Sequence, residues 1–135
     1  MNTEYQWLLK DKYDGMVSDD FTYDLTRLQK GEPIAYVIGW INFLQAKIYL
    51  DSKPLIPRSE TEFWTEKAIR AIQDLNVARP RVLDLCAGSG CVGISVLKSI
   101  PESQVDFAEI DVRHHETIKK NIESNGIFST TNRTT

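Results

Sequence analysis

The run V-L-D-L-C-A-G-S-G-C-V-G-I-S, from Val82 to Ser95, decides the fold. Apolar residues from Val82 lead into a tight glycine turn and then into an apolar helical start, the pattern of a strand that ends at a nucleotide-sized ligand. Glycines at Gly88 and Gly90 let the backbone come close to that ligand, and the helix that follows offers it the N–H groups of its first turn. About twenty residues on, F-A-E-I-D reads as a second strand ending at Asp111, where an acid can hold a ribose diol. A strand at Arg81–Cys86, a helix over Gly90–Ile100 stopped by Pro101, a strand at Gln104–Ile110 and a helix over Arg113–Ser124 closed by Asn125-Gly126 give an α/β layered sheet with right-handed crossovers.

Gly88, Gly90 and Gly93 also satisfy G-x-G-x-x-G, so a nicotinamide dinucleotide has to be weighed. Asp84 speaks against it. Four residues before Gly88 on the strand, its carboxylate repels a pyrophosphate and attracts the ammonium and sulfonium of S-adenosylmethionine. The expected cofactor-binding residues are therefore Asp84, the turn Cys86, Ala87, Gly88, Ser89 and Gly90, and Asp111. Asp111 has a second reading, as N-cap of the helix that follows, and Glu109, two residues earlier, is a rival for the ribose. Cys86, Cys91, His114 and His115 match no zinc spacing. The cysteines read as small packing residues at a tight turn, the histidines as helix-surface residues, and no metal site is expected.

Upstream, apolar residues at Tyr5, Leu8, Leu9 and Tyr13 mark a helix over Thr3–Tyr13, with Thr3 as its N-cap. A second helix fits Asp20–Lys30, with Gly31 just past its end. G-E-P-I-A-Y-V-I-G (31–39) reads as irregular, and Trp40–Phe43 with Lys47–Leu50 as a hairpin. Pro54 and Pro57 bracket an extended connector. Ser59 and Glu62 form a capping box for a helix whose apolar face carries Trp64, Ala68, Ala71, Ile72 and Leu75. The whole has 135 residues, room for one domain, with 41% hydrophobic and 26% charged residues and a net charge of −3. That balance gives no general attraction to nucleic acid or anionic lipid. The chain shows no membrane-length apolar run and no signal-peptide pattern at its start, so a reducing cytoplasm is expected.

G-E-P-I-A-Y-V-I-G-W-I-N-F (31–43) and L-I-P-R-S-E-T-E (55–62), followed by V-L-D-L-C-A-G-S-G-C, resemble the protein-(glutamine-N5) methyltransferases, above all those acting on peptide chain release factors. The likeness runs from about Leu25 to Ile127, and the L-I-P-R-x-x-T-E stretch carries more of it than the glycine turn. The resemblance implies a Rossmann-like fold that uses S-adenosyl-L-methionine and methylates the glutamine amide of a Gly-Gly-Gln motif in a release factor. It divides the chain into a short helical N-terminal region (1–38), a β-hairpin and connector (39–58), the first half of a methyltransferase domain (59–127) and an irregular tail (128–135). It also places Arg58, Thr61 and Glu62 beside the cofactor pocket. Related glutamine methyltransferases acting on a ribosomal protein share these motifs, and a non-catalytic module that only holds the cofactor is the alternative from another class.

The family's Asn-Pro-Pro-Tyr motif, whose Asn and proline carbonyl orient the acceptor amide, is absent from this sequence, so no catalytic residue is assigned. The expectation is an incomplete sheet with Val82, Leu83 and Leu85 on an unpaired edge strand. A truncated or frameshifted product, or half of an enzyme completed by a second polypeptide, would have that form.

Overall fold

A computed structural model describes residues 2–128 and 133–134. Three helices come first: α1 (Thr3–Tyr13), α2 (Asp19–Gln29) and the short α3 (Ile34–Ile38). They close around Leu8, Phe21 and Val37, and the rings of Tyr5 and Tyr13 stand edge-on to Phe21 at 5.2 and 5.5 Å. Asn2, not Thr3, caps α1 by accepting from the Glu4 N–H, and Ser18 caps α2. The segment 31–39, expected to be irregular, contains α3: Pro33 presets the entry and Gly39, at φ 95°, ends the helix. Five residues are too few for a periodic signal, and burial of Val37 stabilises the turn.

Strands β1 (Trp40–Phe43) and β2 (Ala46–Tyr49) pair antiparallel as expected, joined by a tight turn at Leu44-Gln45. Helix α4 (Ser59–Asp74) starts at the expected place without the capping box. Arg58 stands at the N-cap, no side chain closes that end, and the Glu62 carboxylate instead accepts from the Leu44 N–H of the hairpin turn at 3.1 Å. A longer-range partner has taken the residue that local spacing assigned to the cap.

The second sheet is parallel, in the order β3 (Arg81–Leu85), β4 (Gln104–Ala108), β5 (Arg133–Thr134). Helix α5 (Cys91–Ser99) and helix α6 (His115–Ser124) complete the β–α–β–α unit, so the chain has an α/β, Rossmann-like fold. Most of the tail expected to be irregular lies outside the described residues, but Arg133 and Thr134 pair with Asp106 and Phe107. The main core joins Phe43, Ile48 and Leu50 of the hairpin to Ile94 of α5, Val105 and Phe107 of β4 and Ile118 of α6. Gly93 is where α5 presses onto the sheet, since a Cβ there would sit 2.4 Å from the buried Phe107 ring.

Register puts Val82 and Asp84 on the same face as Val105 and Phe107, under α5. Leu83 and Leu85 face the other way and are 61% and 69% exposed. Strand β3 is the sheet's edge among the described residues, with Leu83 and Leu85 exposed as expected, whereas Val82 packs against the core.

Candidate functional site

The site forms where β3 runs out. Cys86 turns the chain at φ 59°, a left-handed conformation few non-glycine residues adopt, and Gly88 and Gly90 follow at φ 57° and 82°. The turn is fastened from within and below: the Ala87 N–H donates to Ala108 O at 3.0 Å, and the Gly90 N–H to Ala87 O at 2.8 Å. A cavity of about 200 Å³ opens over it, between the glycine turn and the first turn of α5 on one side and Leu55, Pro57, Thr61 and Trp64 on the other. The 55–62 stretch thus forms one wall of the cavity. Thr61 lines it, whereas Arg58 and Glu62 do not.

Asp84 lies at the base, 8% exposed, with one oxygen accepting the Gly93 N–H at 2.9 Å. That bond satisfies a free donor of the first turn of α5, whose N-cap Gly90 has no side chain to do so. Burial pushes the Asp84 carboxyl up to about 6, with a smaller push from Glu109 and an opposing pull from the Gly93 N–H. Burial likewise raises the Cys91 thiol to about 11, so it is an inert packing group.

The two acids after β4 have divided their roles. Glu109 accepts from the Gly88 N–H at 2.8 Å with one oxygen and from the Asp111 N–H at 2.9 Å with the other. These bonds hold its carboxyl below the usual range and hold its side chain against the glycine turn. Asp111 caps the 3-10 turn Val112–His114, accepting from the Arg113 N–H at 3.0 Å, and its carboxylate is taken up by the Arg113 guanidinium at 2.6–3.1 Å. The structure therefore gives Asp111 the capping role and brings Glu109 to the turn. The strand stops at Ala108, two residues short of the expected Ile110, so Glu109 and not Asp111 directly follows it.

His114 and His115 are half-buried and bonded, not free on the helix surface as expected. His114 Nδ1 lies 2.8 Å from Ser52 Oγ, and His115 Nε2 lies 2.7 Å from the Glu109 carbonyl, which steadies the acid's backbone. No three His, Cys, Asp or Glu side chains among the described residues converge to hold a metal.

The cavity lining contains one carboxylate and no lysine, arginine or histidine. With Glu109 bonded to the adjoining turn, the local field favours a cation and opposes a pyrophosphate. The chemistry of this donor set fits a ligand that joins a positively charged centre to a ribose.

Residues 31–134 match the model of the family described as lysine methyltransferase. Several relatives bear the name release factor glutamine methyltransferase, two of them as follows. That of Thermodesulfovibrio yellowstonii is 38% identical over 81 residues, 60% of this chain and 29% of its own. That of Rhodopirellula baltica is 34% identical over 100 residues, 73% and 34% respectively. The chain spans about a third of the length of these curated relatives. Among solved structures, a precorrin-6y C5,15-methyltransferase of Geobacter metallireducens is 19% identical, with a TM-score of 0.45 over 62% of this chain and 41% of that one.

Proposed function

Since the chain belongs to the methyltransferase family whose model it matches over residues 31–134, we propose that its glycine turn binds S-adenosyl-L-methionine and that it serves N5-methylation of the glutamine in a peptide chain release factor. The observation that carries the cofactor half is the acidic, cation-free cavity above Gly88, with Asp84 at its base and Glu109 bonded to the turn. Cys86, Ala87, Gly88, Ser89 and Gly90 form the cradle. Asp84 attracts the ligand's positive end, and Glu109, whose carboxylate has lone pairs beyond the two backbone bonds it accepts, takes the ribose hydroxyls. Ile110, 98% exposed beside it, offers an apolar surface to the adenine. When bound, S-adenosylmethionine supplies an electrophilic methyl group on a sulfonium.

The glutamine acceptor rests on the relatives' names and on the L-I-P-R-x-x-T-E stretch that forms the cavity wall. An amide nitrogen is a poor nucleophile, so catalysis of this kind depends on holding it in line with the methyl group. Our reading is that a further segment or second polypeptide, lying along β3 and over Leu83 and Leu85, supplies the groups that orient it. The bare strand edge and the exposed leucines support this. The family model's description favours a second acceptor, a lysine amine. Two unpaired thiols, Cys86 and Cys91, fit a cytoplasmic setting. The test is transfer of labelled methyl from S-adenosylmethionine to a release factor, its Gly-Gly-Ala variant and a lysine-rich protein, with and without a candidate second polypeptide. Label lost in the Gly-Gly-Ala variant supports the glutamine; label retained there, or placed on lysine, overturns it.

A further inference from the structure

Two asparagines one turn apart, Asn121 on α6 and Asn125 at its C-cap, close the outer edge of β2. Asn121 accepts from the Tyr49 N–H at 2.7 Å and donates to Tyr49 O at 2.9 Å. Asn125 does the same for Lys47, at 3.2 and 2.9 Å. Each side-chain amide thereby satisfies both outward backbone groups of one strand residue, as a neighbouring strand would.

They differ in where the remaining bond goes. Asn125 donates back to Asn121 O of its own helix at 2.7 Å. Asn121, fully buried, donates to the Ser89 carbonyl at 3.0 Å. Ser89 O and the Gly90 N–H belong to one rigid peptide plane. That plane is held at both ends, by Asn121 at its oxygen and by Ala87 O at its N–H. The glycine turn is thus tied directly to the hairpin through a single side chain.

We propose that Asn121 is a positioning residue for the methyl-donor site. It fixes the Ser89–Gly90 peptide before the ligand arrives and couples the turn to β2. This rests on the reading of the turn as the S-adenosylmethionine site, and it concerns a residue that touches neither ligand nor acceptor. Preorganising the turn spares the ligand the cost of ordering it, so loss of the tie shows as weaker binding.

Asn125 is the matched control, because it makes the same clamp without reaching the turn. The experiment measures amide hydrogen exchange of the 135-residue chain and of Asn121→Ala, Asn121→Asp and Asn125→Ala, with S-adenosylmethionine affinity by calorimetry. Asn121→Asp keeps the volume and the acceptor for Tyr49 and removes both N–H groups, which serves if the alanine variant does not fold. Both asparagine losses should speed exchange at their own β2 residue. Only the Asn121 variants should also free the Gly90 amide and weaken binding, by about tenfold for one lost buried bond. In the unmutated chain, saturating ligand should slow exchange at Tyr49 more than at Lys47. Equal protection of the two, or Asn121 variants that lose stability with affinity unchanged, overturns the proposal. No binding to the unmutated chain, with Gly90 still freed selectively, would fault the donor-site reading and leave the Asn121 tie standing.

Discussion

Asp24 and Asp84 are both buried carboxylates, and their surroundings could hardly differ more. Asp24, in the helical region, is 3% exposed and accepts from Lys12 Nζ at 2.6 Å, Tyr13 Oη at 2.6 Å and Arg27 at 2.8 Å. Burial pushes its carboxyl up, but these three partners together hold it below the ordinary range. Arg27 also forks onto Glu32 and holds that acid at about 2. Asp84, in the sheet, has one backbone N–H and no cation. Around Asp84, Leu83 and Leu85 are exposed, and β3 has a partner strand on one side only among the described residues. The difference is between a region whose buried acid is held by its own cations and one whose buried acid has none. On the proposed reading the second takes a cation at Asp84 and a covering segment at the leucines.

The largest effect on this comparison should come from Gly93→Ala. Its Cβ would lie 2.4 Å from Phe107 and 2.9 Å from Val105, both fully buried, so the helix has to lift off the sheet. We expect a loss of about 3 kcal/mol or more in denaturant unfolding, with the cavity above the turn distorted. Asp24→Ala comes next, since it removes the acceptor shared by Lys12, Tyr13 and Arg27, leaving Lys12 with Val37 O and Arg27 with Glu32. Their partial exposure softens the penalty, and a loss of about 2–3 kcal/mol is expected, with S-adenosylmethionine affinity unchanged.

The two regions should then respond to pH in opposite directions. The Asp84 carboxyl is raised from 3.8 to about 6, so its folded form binds a proton more readily than its unfolded form. Its favourable contribution is present at low pH and is lost as pH rises through about 6. Asp24 and Glu32 are depressed, so what they contribute is present at neutral pH and is lost as pH falls below about 4. Asp84→Asn should accordingly stabilise the chain at pH 7.5 by about 2 kcal/mol, in a thermal melt, and flatten the change in stability between pH 5 and 7.5. The same substitution should weaken binding of a cationic ligand. The smallest effect on stability, within about 0.5 kcal/mol, is expected for Leu83→Thr with Leu85→Thr. Light scattering should nevertheless show less self-association, because the apolar strand edge is what invites it.

Much of this was legible in the sequence. The glycine turn, strands β3 and β4, the hairpin and every helix but α3 announced themselves through periodicity and turn residues, and Asp84 is the basis for proposing a cationic ligand. Four features were not legible: the five residues of α3 are too few to show a period, and at three other positions a side-chain partner outweighed local spacing. Glu62 sits at capping-box distance from Ser59 but bonds to Leu44 of the hairpin turn. Asp111 is two residues from an arginine that occupies it, which leaves the turn to Glu109. Asn121 lies on a helix with an ordinary amphipathic pattern, and nothing local marks it as the bond between Tyr49 and Ser89. Side-chain amides that bridge elements 32 and 72 residues away leave no periodic trace.

On the proposed function, the glycine turn together with Glu109 holds S-adenosylmethionine. Calorimetric titration of the 135-residue chain, Glu109→Gln and Asp111→Asn with S-adenosylmethionine tests it most directly. The unmutated chain should bind, Glu109→Gln should lose about tenfold or more as charged hydrogen bonds to the ribose are weakened, and Asp111→Asn should change within about twofold. Absence of binding, or a loss confined to Asp111→Asn, would contradict it.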